Sequence, residues 1–200
     1  MRINIDNKLV FVSTPKCGSH TGWKLMETYF RPIRHSKTHE KRVPIECIEY
    51  TAFTFTRHPF DRAVSLWHSM LHGHPDPKED KYRKIFLRRM KNTGDSFEDF
   101  CKHLISTRHL YNDFYSNFEK SIFEHNSMTN LKYLNYFKLE EINKTLPPFL
   151  KKETGIDIVV PYEHARKHRK WDEVKTPKSY EYLLQWAERD FENYKYDSKY

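Results

Sequence analysis

In the first third of the chain, a short apolar run, a tight loop and an amphipathic stretch follow one another twice. Lys8–Ser13 (KLVFVS) is apolar and β-branched and runs into Thr14-Pro15-Lys16-Cys17-Gly18-Ser19, the pattern of a buried strand entering a turn. Trp23, Met26 and Phe30 then recur at helical spacing, with Leu25 and Tyr29 beside them. Ala52–Thr56 (AFTFT) repeats the strand, Arg57-His58-Pro59 the loop and Asp61–Leu71 the helix. Strand–loop–helix used in tandem predicts a three-layer α/β fold, with a central, mainly parallel sheet and helices on both faces. Ligands of such sheets bind beyond the carboxyl ends of the strands, where both loops fall.

Further elements follow along the chain. Arg31–Arg42 is polar and reads as a surface loop, and Pro44 opens a short helix over Ile45–Tyr50. His72–Asp80 is turn-rich, and Lys81–Lys91 is a basic helical stretch. Ser96 with Asp99 resembles a capping box before Phe97, Phe100, Cys101 and Leu104. Tyr133–Leu139 predicts a third strand, running into Glu140-Glu141 and a helix that ends near Pro147-Pro148. Ile156–Val160 is another short β-branched run. Tyr180, Leu183, Leu184, Ala187 and Phe191 form the apolar stripe of one C-terminal helix behind Pro177. No composition break divides residues 1–200, which predicts a single domain.

Composition removes several classes. Two hundred residues with 16% aromatics can bury a core, and five glycines without a repeat do not make collagen, a solenoid or a propeller. No run of 18 apolar residues is present. The start MRINIDNKLVFVS lacks the apolar stretch of a signal peptide. Cys17, Cys47 and Cys101 lie far apart, with neither a metal-ligand spacing nor a disulfide framework. A cytoplasmic protein is expected. The net charge of +8 favours polyanionic partners without choosing among them.

The two loops carry the chemistry. Lysine, glycine and hydroxyl residues between a strand and a helix make an anion cradle of backbone N–H groups beside a point charge; a tight structural turn is the alternative. The loop is no Walker A motif, since its first glycine and its Gly-Lys pair are missing. In the second loop, Arg57 and Ser65 could meet one phosphate from two sides. The alternative there is that Arg57 and Arg62 form ion pairs and Ser65 packs.

Together, PKCGSHT and R-H-P-F-D-R-A-V-S resemble the two nucleotide-binding motifs of the sulfotransferase superfamily, which uses 3′-phosphoadenosine 5′-phosphosulfate (PAPS). YTAFTFTRHPFDRAVSLWH, SFEDFCKHL, YFKLEEI and YEYLLQWAERDFENYKY are similar, in order, to segments of its carbohydrate branch. The resemblance implies that Lys16, Cys17, Gly18, Ser19, His20 and Thr21 form the 5′-phosphosulfate loop. It also implies that Arg57 and Ser65 hold the 3′-phosphate, with Arg166 and Lys167 as a further contact or simply a solvated basic face. Trp23 lies two positions from the family's adenine-stacking tryptophan and is assigned to the core.

The implied reaction moves a sulfuryl group to an acceptor hydroxyl, with Lys16 neutralising charge on the leaving oxygen and a histidine taking the acceptor proton. His35 is favoured as that base over His39, with Glu40 the third candidate. Neither metal nor nucleic acid is expected. His68, His72 and His74 lack the acidic partner of a metal site, and Lys81–Lys91 could instead steer an anionic acceptor such as a sulfated glycan. The acceptor site is open, or a partner subunit (a second copy in a homo-oligomer) completes it. Asn143-Lys144-Thr145 fits a glycosylation sequon. A phosphotransferase and a noncatalytic polyanion-binding module are the competing functions.

Overall fold

The computed structural model describes residues 1–35, 42–72, 84, 87–88, 94–107, 119–161 and 169–199, with backbone alone at 72 and 107. His39, Glu40, His74, Arg166 and Lys167 therefore lie outside the described residues, as do 73–80 and most of Lys81–Lys91. The chain forms two compact units. Met1–Arg57 with Asn126–Arg166 makes the first, and His58–His125 with Lys167–Tyr200 the second.

The first unit is built on a five-stranded sheet of β1 (Arg2–Asn4), β2 (Leu9–Val12), β3 (Arg34–His35), β4 (Thr51–Thr56) and β5 (Asn135–Lys138), in the order β3-β1-β2-β4-β5. β2, β4 and β5 are parallel, and β1 runs antiparallel to both neighbours. The expected α/β class, parallel at the sheet's centre and flanked by helices, is what the chain adopts. Leu9, Val10, Phe11 and Val12 are all fully buried, as a central parallel strand covered on both faces requires.

Phe11 pairs with Phe53, and Phe55 with Phe137, so these four rings share one face. Helix α1 (Ser19–Tyr29) covers it at Phe11. On the same face, α5 (Ile142–Thr154) sets Phe149 4.9 Å from Phe137. Ile3, Val10, Val12 and Ala52 face the other way, against Val43 and Cys47.

The second unit holds α2 (Pro59–His72), α3 (Phe97–Thr107), α6 (Pro177–Trp186), α7 (Glu188–Tyr194) and the start of α4 (Ile122–Asn126). Phe60 stacks on Trp171 at 4.4 Å, and Phe100, Leu104, Leu183 and Trp186 complete the core. The Asp99 N–H donates to Ser96 Oγ at 3.1 Å, the cap expected for α3. Thr176 and Ser179 cap α6 reciprocally.

Several expectations are corrected. The 31–42 stretch holds an edge strand, because Asn4 Nδ2 donates to the Phe30 and Pro32 carbonyls at 2.7 and 3.0 Å and lays Arg34–His35 along β1. The Pro44 helix is a single 3-10 turn, Ile45–Cys47. Helix α5 runs through Pro147 and Pro148. Leu146 and Leu150, both fully buried, hold it down where the two missing N–H groups would have ended it. Residues 156–160 form no strand; the Val159 N–H donates to the Tyr29 hydroxyl at 3.0 Å. The C-terminal helix breaks at Ala187, φ −110° and ψ 17°. Among the described residues, no helix is long and apolar enough to cross a membrane.

Candidate functional site

At the carboxyl end of β2, Thr14 anchors the first loop. Its carbonyl accepts the Cys17 N–H at 3.2 Å and the Ser19 hydroxyl at 2.9 Å. Its own hydroxyl donates to Asn126 Oδ1 at 2.8 Å and lies 3.1 Å from Thr54 Oγ1. In the resulting turn Lys16 adopts φ 63°, a left-handed position where turns usually take glycine and where an L side chain costs about 1–2 kcal/mol. Gly18 follows at φ 78° as the N-cap of α1, and a Cβ there would stand 2.7 Å from Leu139 Cδ1. The first turn of α1 contains no acidic residue, so nothing on the helix neutralises the positive end of its dipole.

The loop residues divide by role. Cys17 shapes the turn, with its N–H bonded to the Thr14 carbonyl and the residue 1% exposed. His20 is exposed at the helix start, its ring centroid 4.9 Å from that of Trp23. Thr21 is buried. Trp23, expected in the core, is half-buried beneath the Arg2 guanidinium, 5.1 Å from its ring centroid.

Arg57 directly follows β4. It is half-buried and makes no hydrogen bond or ion pair among the described residues. Among the described residues Arg57 has no ion-pair partner, whereas Arg62 lies within electrostatic reach of a buried carboxylate. Arg62 is fully buried on α2, 5.2 Å from the Trp186 ring, and its charge acts on Asp190. Burial pushes the Asp190 carboxyl up to about 6, against the pull of Arg62 and of the Phe123 and Ile122 N–H groups, which donate at 2.6 and 2.9 Å. Ser65, in the second turn of α2, is 8% exposed, and its hydroxyl has no hydrogen bond among the described residues.

His35 lies on the edge strand opposite Arg2, which in turn faces Phe11. That register puts it level with the carboxyl end of β2, two strands or about 10 Å away. Its side chain is 56% exposed, with Nδ1 4.0 Å from Glu27 Oε1, which also accepts Arg2 Nε at 3.0 Å. Of the late basic segment, Arg169 and Lys170 are described and exposed. His68 lies partly buried on α2.

Two residues of this region carry no clear mark in the sequence. Asn126 meets Thr14 from 112 positions away. Gly22 lets α1 lie on Phe11, and its only sign is a second glycine one turn after Gly18.

Among known protein families, the sulfotransferase family matches residues 1–197. No curated protein and no solved structure matches the chain. The match takes in both loops and every strand of the sheet, and on it the chain belongs to the sulfotransferase family.

Proposed function

We propose that the chain transfers a sulfuryl group from PAPS to an acceptor hydroxyl on a glycan or another small molecule. Family membership makes sulfotransfer the reaction class. The observation that carries the finer reading is the end of β2. A lysine held at φ 63°, a glycine N-cap and a helix start without carboxylates form one cradle for a multiply charged anion. Half-buried Arg57, without a protein partner among the described residues, supports a second phosphate contact. The residues present fit the donor.

PAPS supplies an activated sulfuryl group on a good leaving phosphate. In this reading the N–H groups at Gly18, Ser19, His20 and Thr21 hold its 5′ end, while Arg57 and Ser65 hold the 3′-phosphate, with Arg166 and Lys167 as a further contact. The Lys16 ammonium neutralises charge at the leaving oxygen. His35 or His39 takes the proton of the acceptor hydroxyl as its oxygen bonds to sulfur. Three free cysteines suit a reducing, cytoplasmic setting.

Calorimetric titration with adenosine 3′,5′-bisphosphate, with ATP and Lys16→Ala as controls, tests the donor assignment. Micromolar binding that prefers the bisphosphate and weakens in the variant is expected. Absence of binding at low salt, or equal binding of ATP, overturns it.

A further inference from the structure

Beneath the anion loop, on the sheet face opposite α1, lies a buried relay of hydroxyls. Val10, Val12 and Ala52 line that face, and the alternation of the two strands carries it on to Thr14 and Thr54. Both threonines are buried. The Thr14 hydroxyl donates to Asn126 Oδ1 at 2.8 Å, so its one proton is committed there. Its contact with Thr54 Oγ1 at 3.1 Å is then a bond donated by the Thr54 hydroxyl. The relay therefore runs in one direction, from Thr54 through Thr14 to Asn126, the last residue of α4. Asn126 is itself held, because its carbonyl accepts the Thr129 N–H at 3.3 Å.

Packing alone does not call for these groups. Valine has nearly the shape of threonine and would continue the surface of Val10 and Val12 without burying a hydroxyl. What valine cannot do is fix the Thr14 main chain by a directed bond. That main chain sets the loop: the Thr14 carbonyl accepts the Cys17 N–H at 3.2 Å and the Ser19 hydroxyl at 2.9 Å. Thr14 thus reaches into the relay with its side chain and into the loop with its carbonyl. Backbone N–H groups hold an anion well only when they converge before it arrives.

We infer that Asn126 is a positioning residue for the sulfuryl donor: through Thr14 it keeps the anion loop in its binding shape. The inference rests on the PAPS reading and adds a residue, 112 positions from Thr14, that acts through the loop.

The test is calorimetric titration of adenosine 3′,5′-bisphosphate into the full chain and four single variants. Asn126→Ala and Thr14→Val remove the same bond from its two ends, and each should weaken binding about five- to tenfold. The double variant should bind no more weakly than either single one, because the two act through one bond. Thr14→Ser keeps the hydroxyl and should keep the affinity. Asn4→Ala removes another buried carboxamide of the same unit, one that grips the Phe30 and Pro32 carbonyls. It should lower the melting temperature and leave the affinity unchanged. Undiminished binding in Asn126→Ala, additive losses in the double variant, or an equal loss in Asn4→Ala overturns the inference. If Asn126→Ala does not fold, the Thr14 pair decides: a loss in Thr14→Ser as large as in Thr14→Val overturns it. Absence of binding to the unsubstituted chain is a separate result, which removes the PAPS reading and this inference with it.

Discussion

Gly22 and Phe11 are in such close contact that a Cβ on the glycine would stand 2.1 Å from the phenyl Cζ. The helix whose N-terminus forms the anion cradle is thereby fixed to the strand that delivers the loop. Gly22→Ala should destabilise the chain by about 1–3 kcal/mol through overpacking, read from urea unfolding. Combining it with Phe11→Leu should recover part of the loss, because the two positions share one space. Additive effects would mean that the contact does not set the helix position.

Lys16 separates stability from binding. Its left-handed backbone opposes folding, so Lys16→Gly should leave stability unchanged or raise it by up to about 1 kcal/mol. The same change should weaken adenosine bisphosphate binding about tenfold or more. Parallel loss of both would show that the lysine serves the fold instead of the anion.

The arginines of the second loop should behave in opposite ways. Arg57→Ala is expected to lower bisphosphate affinity with little change in melting temperature. Arg62→Ala strips the counter-charge from buried Asp190 and should cost about 3–5 kcal/mol. Calorimetry and thermal unfolding of both variants provide the comparison.

Asp190 gives stability a distinctive pH dependence. Its carboxyl titrates near 6 in the folded chain against 3.8 as the ordinary value, so the folded state holds the proton more tightly. Its contribution is complete below about pH 4 and is lost as pH rises through 6. Relative to Asp190→Asn, the unsubstituted chain should lose about 2 kcal/mol between pH 4 and 7. Urea unfolding across that range measures the difference, and a flat difference would refute the assignment.

The base is separable by substitution. Alanine at His35 or at His39 should lower the transfer rate about 10²-fold while bisphosphate affinity holds. A rate unchanged in both variants removes histidine from the proton transfer and turns attention to Glu40.

The central strands and α3 were legible because their patterns are strong: KLVFVS and AFTFT are unbroken apolar runs, and Ser96 with Asp99 announces a cap. β1 and β3 were not, since strands of three and two residues carry no periodicity and depend on Asn4 gripping a carbonyl pair 26 and 28 residues away. Pro147-Pro148 reads as a stop in any local account, yet tertiary burial of Leu146 and Leu150 overrides it. The apolar stripe across Ala187 looked continuous because a break in backbone direction leaves side-chain spacing intact. At the site, the loop residues were visible as a motif. What the sequence could not separate was Arg57 from Arg62, whose surroundings differ only once the chain is folded.

The outer parallel strand has a consequence for how the chain is made. β4 ends at Thr56, and its neighbour β5 begins at Asn135. All of 58–125 must leave the ribosome before that side of the sheet can close. Until then β4, with the sequence Thr-Ala-Phe-Thr-Phe-Thr, presents an unsatisfied hydrogen-bonding edge to other nascent copies. Closing so long a loop is also slow. The interval between synthesis of these two strands is when the chain most needs a chaperone, and a message truncated ahead of Asn135 should yield inclusion bodies.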